Sequence, residues 1–322
     1  MNPIAKLGPY IIFEKLGEGG LAKVFLARDS NPNYKGPFIA LKCLNKEAAH
    51  HELTSEGFFN EIKLLEVLRH PNLLAGKGSG SERDIHYSIT EFIDGQDLRS
   101  VNSRIQKGAS ILNLIPFIVS EVLTGVNYLH SFQSSSAKLR NVLHNDLTPG
   151  NIFISYEGKV KIIDFGAASF KGQKRHASND DSVLGTLSYL APEKLLGKTP
   201  DYRADLYAVG VLLYELTFGS PPFRHKKGEN DMDVLNRIVA GRYQPFKSFN
   251  KEAPQQLLDT IEKAMQLKPK HRFKNAMEMA LSLGIDLHVK NDPEAQKRRR
   301  FLLGSAIQSL FTKEYAATAH RR

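Results

Sequence analysis

The chain has 322 residues, of which 41% are hydrophobic and 24% are charged, as is usual for a soluble globular protein with one large or two ordinary domains. Its single cysteine, Cys43, excludes an internal disulfide and fits a reducing compartment. No apolar run approaches the about 20 residues of a membrane span, and the N-terminus lacks a leader pattern. We therefore expect a cytoplasmic protein without a transmembrane segment. The net charge of +10 favours anionic partners such as nucleotides or acidic proteins, and we expect no specific nucleic-acid partner.

Residues 10 to 28, YIIFEKLGEGGLAKVFLAR, predict two strands joined by a glycine-rich turn. Gly17, Gly19 and Gly20 would let backbone amides approach a phosphate closely, because side chains there would block the approach. A dinucleotide-binding fingerprint is the rival interpretation, but it requires a helix to begin at the glycines, whereas KVFLAR is typical of a strand. The pattern by itself also fits a hairpin that binds no ligand.

The next predicted strand, FIALKCL at 38 to 44, places Lys42 among apolar residues. Burying a lysine is costly unless an anion pairs with it, and either phosphate oxygens or an acidic side chain would serve. Residues 55 to 70 predict a helix with Glu61 beside its apolar stripe. Glu61 alone fits a solvated helix charge, but as a partner of Lys42 it would help to position a nucleotide.

The segment YSITEFIDGQDL at 87 to 98 predicts a strand that runs into a glycine-containing turn, which suits a hinge between two lobes. Helical patterns dominate after it, and residues 206 to 218 are apolar nearly all round, as in a helix buried inside a lobe. We therefore predict an α+β fold in which a small, mostly β lobe precedes a larger, mostly α lobe.

Two short motifs carry the chemistry, HNDLTPGN at 144 to 151 and IDFG at 163 to 166. They supply two carboxylates and an amide, from Asp146, Asn151 and Asp164. Such groups hold Mg²⁺ on a nucleoside triphosphate while a third group orients an attacking hydroxyl. The motifs therefore predict phosphoryl transfer.

In order and spacing these motifs resemble the eukaryotic-type (Hanks-type) protein kinases, most closely the bacterial serine/threonine branch with an atypical HND catalytic loop. The remaining matching elements are GTLSYLAPE at 185 to 193, DLYAVG at 205 to 210 and Arg272. The similarity runs from about Tyr10 to about Leu287. It implies ATP as the phosphate donor, Mg²⁺ as the metal with Mn²⁺ as an alternative, and a protein substrate with a serine or threonine acceptor.

The resemblance also implies a domain organisation. The bilobal kinase domain would cover residues 9 to 288, with an N-lobe over about 9 to 93 and a C-lobe over about 94 to 288. A basic tail would follow at 289 to 322.

By the same resemblance, a nucleotide pocket draws on both predicted lobes. Besides Lys42, its expected members are Leu16, Gly17, Gly19, Val24, Ala40, Glu91, Ile93, Asp97 and Phe153. The backbone of Glu91 and Ile93 would hydrogen-bond the adenine edge, Phe153 would lie beneath the base, and Asp97 would contact the ribose. Thr90 matches the gatekeeper position.

The resemblance implies catalytic roles for Asp146, Lys42, Glu61, Asn151, Asp164 and Thr186. Lys42, paired with Glu61, would hold the α- and β-phosphates. Asp164 and Asn151 would ligate the metal through hard oxygen donors. Asp146 would accept or orient the proton of the substrate hydroxyl.

The catalytic loop departs from the family pattern at three positions. Asn145 replaces an arginine that ordinarily pairs with a phosphate on the activation loop, so we expect phosphorylation at Ser182 or Ser178 to adjust activity without acting as the on-switch. Thr148 replaces a lysine that steadies the γ-phosphate, a contact worth about 2.7 to 4 kcal/mol in comparable oxyanion sites. Gly150 replaces an acidic residue that often selects basic side chains, so a basic consensus is not expected.

Two other functional classes stay open. HND followed by PGN also resembles the catalytic loops of choline and aminoglycoside kinases, which phosphorylate small molecules. GTLSYLAPE, which forms the peptide-binding shelf in protein kinases, favours a protein substrate, and Thr186 matches the residue associated with serine and threonine acceptors. A pseudokinase that binds nucleotide without chemistry is the third class, and Thr148 is the residue that argues for it.

The tail combines a basic run, 297 to 300, with the sequence FLLGSAIQSLF. It fits an amphipathic helix that packs on the kinase domain or contacts an anionic membrane or an acidic partner. The expected apolar face of this helix consists of Phe301, Leu302, Ala306, Ser309 and Leu310.

Overall fold

The computed structural model describes residues 1–45, 52–105, 112–135, 139–170, 187–246, 253–285, 287 and 293–321. The chain divides into two units. We call Met1–Asp94, Ile163–Ala168 and Thr312–Arg322 the β-rich unit, and Gly95–Ile162 and Ser169–Phe311 the helical unit.

A six-stranded antiparallel sheet forms most of the β-rich unit. Its strands are β1 (Ala5–Leu7), β2 (Tyr10–Glu18), β3 (Ala22–Asp29), β4 (Ile39–Leu44), β5 (Gly76–Glu82) and β6 (Ile85–Glu91), in the order β1-β2-β3-β4-β6-β5. Helix α1 (Glu52–Val67) belongs to the same unit. Strand alternation buries Ile39, Leu41 and Cys43 on one face of β4. Lys42 therefore lies on the opposite face.

The helical unit contains a small sheet and most of the described helices. Strands β7 (Gly95–Asp97), β8 (Ile152–Ser155) and β9 (Val160–Ile162) pair antiparallel in that order. The helices are α2 (Leu98–Ile105), α3 (Ile115–Ser131), α4 (Pro192–Leu195), α5 (Arg203–Phe218), α6 (Asp231–Val239), α7 (Gln255–Ala264), α8 (Ala276–Ser282) and α9 (Pro293–Leu310). Helix α5 is buried over nearly its whole length, as its apolar sequence predicts. The predicted α+β class, a β-rich part followed by a mainly helical part, is confirmed.

A buried ion pair fastens α4 within the helical unit. Two nitrogens of Arg272 each donate to a carboxylate oxygen of Glu193 at 2.7 Å, and the guanidinium stacks 4.8 Å from the ring centroid of Tyr207. Bidentate pairs of this kind fix both distance and orientation. Arg272 and the segment GTLSYLAPE thus meet through the final glutamate of that segment.

Helix α9 packs within the helical unit on a different face from the one expected. Leu303, Ile307 and Phe311, spaced four residues apart, are buried, whereas Phe301 and Leu302 are exposed. The helix comes close to Gly158, where a Cβ would overlap the carbonyl oxygen of Arg300. The predicted face was wrong because the helix covers its Leu303, Ile307 and Phe311 stripe, the side that lies close to Gly158. Helix α10 (Thr312–Ala317) follows and is part of the β-rich unit.

Across the part of the chain that the structure describes, no helix combines the length and apolarity needed to cross a membrane.

Candidate active site

A charged cluster of Lys42, Glu61 and Asp164 lies within the β-rich unit. Lys42 Nζ donates to Glu61 Oε2 at 2.6 Å and to Asp164 Oδ1 at 3.3 Å. Glu61 is buried on α1, and it also accepts a hydrogen bond from the backbone N–H of Phe165. Glu61 therefore connects the strand lysine to the IDFG segment.

The charged side chains in this cluster shift one another's pKa values. Burial by itself would lower the pKa of Lys42, but the carboxylates of Glu61 and Asp164 raise the pKa above its usual range. The lysine is therefore a cation at neutral pH. Burial raises the pKa of Glu61, an effect that Lys42 opposes. The result is a half-buried cation that is held in place by acids and can receive phosphate oxygens.

The register of the sheet lines up the predicted nucleotide residues beside Lys42. Gly17 pairs with Val24 across β2 and β3, and Val24 pairs with Lys42 across β3 and β4. Leu16, Val24 and Ala40 are each only half-buried, so they are not core positions of the sheet. Of the three, Val24 lies directly across the strand pair from Lys42.

The glycine-rich turn is open. A Cβ built at Gly17 or at Gly20 would meet nothing within 4 Å, and neither residue has a positive φ. The backbone N–H of Gly19 donates to the carbonyl oxygen of Ala22 at 2.9 Å and closes the turn. Neither packing nor a positive φ requires glycine at positions 17 and 20, and the open space there is compatible with the predicted close approach of a phosphate.

Strand β6 ends at Glu91, where an adenine contact is expected. The backbone N–H of Glu91 donates to the carbonyl oxygen of Ala75 at 2.9 Å, and Glu91 Oε1 accepts from the Ala75 N–H at 2.8 Å. The carbonyl oxygen of Glu91 accepts from the Thr90 hydroxyl at 3.2 Å, so both backbone groups of Glu91 have partners within the protein, and its adenine contact stays a prediction. Thr90, the gatekeeper match, is buried, and Ile93 is half-buried.

The IDFG turn holds Asp164 in a left-handed backbone conformation with φ of 61°. Such a conformation is costly for a residue other than glycine and clusters at functional sites. Asp164 Oδ1 accepts from the N–H of Gly166 at 3.1 Å as well as from Lys42. A Cβ at Gly57 of α1 would lie 3.2 Å from the carbonyl oxygen of Gly166, so a small residue allows the helix to approach this turn.

In the helical unit, the catalytic loop brings Asp146 and Asn151 together. The amide nitrogen of Asn151 donates to the Asp146 carbonyl oxygen at 2.9 Å and to Asp146 Oδ2 at 2.7 Å. These bonds orient the carboxylate. Because the nitrogen faces Asp146, the amide oxygen of Asn151 is the atom suited to a metal.

Asp205 of α5 binds the backbone of this loop. Its carboxylate accepts the backbone N–H groups of His144 and Asn145, each at 2.9 Å, and contacts His130 Nε2 at 2.8 Å. Burial by itself would raise the pKa of Asp205, but the bond to His130 and the charges of both histidines lower it below its usual value. The loop is thus held through its backbone by a buried carboxylate.

Sequence reasoning recognised the DLYAVG motif that begins with Asp205 but gave Asp205 no role. The available signal was an acidic residue at the start of a helix that is otherwise apolar all round. A carboxylate there is expensive to bury without partners. It therefore marks a position that binds other polar groups.

Asn145, the first departure from the family pattern, ties the loop to the chain that follows the IDFG motif. Its φ is 67°, and its amide nitrogen donates to Ser169 Oγ at 2.8 Å. The backbones of Leu143 and Ser169 exchange two hydrogen bonds of 2.8 and 2.9 Å beside it. Lys194 Nζ donates to the carbonyl oxygen of Asn145 at 3.0 Å. A neutral hydrogen bond therefore occupies the position of the family's phosphate-binding arginine.

The other predicted residues have varied placements. Asp97 and Phe153 are partners in the β7–β8 register, and Asp97 accepts hydrogen bonds from both the N–H and the hydroxyl of Ser100 at 2.9 and 2.7 Å. Asp97, the residue expected to contact the ribose, therefore caps the N-terminus of α2. Thr148 is buried. Thr186, Ser178 and Ser182 lie outside the described residues.

The donor set fits Mg²⁺. Within the described ranges no three His, Cys, Asp or Glu side chains form a metal-binding group. Mg²⁺ on a nucleotide needs none, since it usually binds one or two protein oxygens together with phosphate oxygens and water. Asp164 and Asn151 each carry a suitable hard oxygen.

Comparison with known proteins supports the same interpretation. Residues 10–282 match the family model described as the protein kinase domain. The chain is 31% identical to the tyrosine-protein kinase MasK of Myxococcus xanthus over 86% of this chain and 42% of that protein. It is 31% identical to a probable serine/threonine-protein kinase of Clostridium perfringens over 88% of this chain and 38% of that protein. It is 29% identical to the serine/threonine-protein kinase PrkC of Bacillus subtilis over 92% of this chain and 42% of that protein.

The chain thus spans about two fifths of the length of these three relatives. The matched residues include the glycine-rich turn, the Lys42 cluster, the catalytic loop and the IDFG segment. We conclude that this chain belongs to the protein kinase family.

Proposed function

We propose that this protein transfers the γ-phosphate of ATP to a serine or threonine hydroxyl of a protein substrate. The observation that carries the proposal is the cluster in which Lys42 contacts both Glu61 and Asp164. A lysine that two acids hold in a charged state beside an open glycine turn is the arrangement that positions nucleotide phosphates.

The chain's own groups have distinct tasks in this reaction. Lys42 holds the α- and β-phosphates, and Glu61 fixes the direction of the lysine. Asp164 and Asn151 would hold Mg²⁺, or Mn²⁺ in its place, which when bound would supply positive charge next to the phosphate oxygens.

Asp146 orients the attacking hydroxyl and accepts its proton. The amide of Asn151 keeps the Asp146 carboxylate in a fixed rotamer through the bond at 2.7 Å. Thr148 supplies a hydroxyl, and not a charge, where the family has lysine, so we expect modest turnover.

The choice of serine or threonine as acceptor rests on the sequence match at Thr186. The relatives include one named as a tyrosine kinase and two named as serine/threonine kinases. Analysis of the phosphorylated amino acids in the product decides between the two.

The test is a transfer assay with labelled ATP, Mg²⁺, the purified protein, and one basic and one acidic protein as acceptors. We expect Asp146→Asn to lower the rate by about 10² to 10⁴, with nucleotide binding retained. Asp259→Asn, which changes an exposed acid on α7, is the matched control and should leave the rate unchanged.

The same assay distinguishes the other functional classes. Transfer to choline or an aminocyclitol, and not to protein, would show a small-molecule kinase. Nucleotide binding without any transfer would show a pseudokinase and would overturn the proposal.

A further inference from the structure

Arg99 of α2 lies against the catalytic loop at Gly150. A Cβ built at Gly150 would be 3.0 Å from Arg99 Nη2 and 3.3 Å from Arg99 Cζ. Gly150 does not have a positive φ, so its backbone conformation does not require glycine. The guanidinium occupies the space that a side chain at position 150 would need.

The positive charge of Arg99 is available to a ligand. Arg99 is exposed, and within the described ranges it forms no ion pair. Its charge acts on Glu215: burial raises the pKa of Glu215, and Arg99 is the weakest of the three neighbours that lower this pKa. Glu215 is buried and already accepts hydrogen bonds from Asn102 at 3.1 Å and from the hydroxyl of Tyr189.

This cation lies near the place where the acceptor must react. Gly150 is four residues beyond Asp146, and four residues span at most about 14 Å. An extended peptide advances about 3.3 Å per residue. A side chain within about four or five residues of the acceptor can therefore reach Arg99.

We propose that Arg99 is a specificity-determining residue that selects protein substrates carrying an acidic side chain close to the acceptor hydroxyl. Arginine suits this task because its planar guanidinium binds a carboxylate through two parallel hydrogen bonds. Gly150 contributes by leaving room for the guanidinium. The inference rests on the proposed protein kinase function and adds the class of substrate.

The experiment uses a set of serine peptides in which a single position, from five residues before the acceptor to five after it, is Asp, Ala or Lys. For the wild type we expect the kcat/KM of the Asp peptide to exceed that of the Ala peptide about tenfold at one position, equivalent to about 1.4 kcal/mol. Arg99→Ala should abolish this preference, and Arg99→Glu should make Lys the preferred residue at the same position.

Lys77→Glu, which makes the same charge change at an exposed position of β5, is the control and should retain the acidic preference. Unchanged peptide preference in both Arg99 variants would overturn the inference. So would a rise in the KM for ATP with no change in peptide preference, since the guanidinium would then serve the nucleotide. Failure of the wild type to phosphorylate any peptide or protein would count against the proposed function instead.

Discussion

The two charged clusters of the molecule are built in different ways. In the β-rich unit, Lys42, Glu61 and Asp164 contact one another through their side chains, and the lysine that the two acids position is also the proposed phosphate-binding group. In the helical unit, Asp205 holds the catalytic loop through two backbone N–H groups, and Asp205 lies outside the loop. The sequence motifs thus identify all three residues of the first cluster. For the second cluster they identify the catalytic loop but not Asp205, the residue that holds it.

The difference predicts different responses to substitution. The charge of Glu61, if removed, should mainly impair nucleotide positioning, because the two side chains that remain, Lys42 and Asp164, are partly solvated. A charge removed from Asp205 should damage the loop and the fold together, because buried backbone groups lose their partner.

The largest effect is expected from Asp205→Ala. It leaves two buried N–H groups and His130 without the carboxylate, so we expect a loss of about 3 to 5 kcal/mol in the free energy of unfolding and loss of transfer activity. Urea unfolding and the labelled-ATP assay measure the two effects. Asp259→Ala, at an exposed site, is the control. A stable, inactive Asp205→Ala protein would contradict the expected coupling of fold and loop.

The Asp205 contribution should also depend on pH. Since the pKa of Asp205 is lower in the folded state than its usual value of about 3.9, the folded carboxyl binds a proton less tightly than the unfolded one. Its contribution to stability is present above about pH 4 and is lost as the pH falls through the folded pKa. The difference in unfolding free energy between wild type and Asp205→Asn should therefore shrink on acidification below pH 4. A difference that is constant between pH 6 and pH 2 would contradict this assignment.

An intermediate effect is expected from Glu61→Gln. The substitution removes a carboxylate whose burial raises its pKa, so the fold loses little stability while Lys42 loses its closest partner. We expect the KM for ATP to rise about tenfold, with a change in unfolding free energy below about 1 kcal/mol. Glu66→Gln, at an exposed position of the same helix, should change neither quantity. Destabilisation as large as that of Asp205→Ala would remove the distinction between the two clusters.

The smallest effect is expected at the Asn145–Ser169 hydrogen bond. A double-mutant cycle with Asn145→Ala and Ser169→Ala should give a coupling energy of about 1 kcal/mol, the ordinary value for a neutral hydrogen bond. Activity should fall less than tenfold and should survive Ser182→Ala. Loss of activity in Ser182→Ala that Ser182→Glu restores would show that loop phosphorylation, and not this bond, switches the enzyme on.

Much of the fold and part of the candidate site could be predicted from short motifs. The apolar sequence of residues 206 to 218 predicted that α5 is buried, and the structure confirms it. Lys42 and Glu61, and separately Asp146 and Asn151, lie together in the structure. The tail face was wrong because the buried stripe is Leu303, Ile307 and Phe311, which also has helical spacing, and the sequence alone did not show which of the two apolar stripes packs against the domain.

By itself, the sequence determined the chemical groups of this protein, because the glycine turn, the lysine, the HND loop and the IDFG segment each carry their chemistry within a few consecutive residues. The tertiary structure alone decided what surrounds those groups. Asp205 meets Asn145, and Arg99 meets Gly150, across long separations in the chain. Such contacts depend on how helices pack, and packing is a property of the whole fold that no local pattern contains.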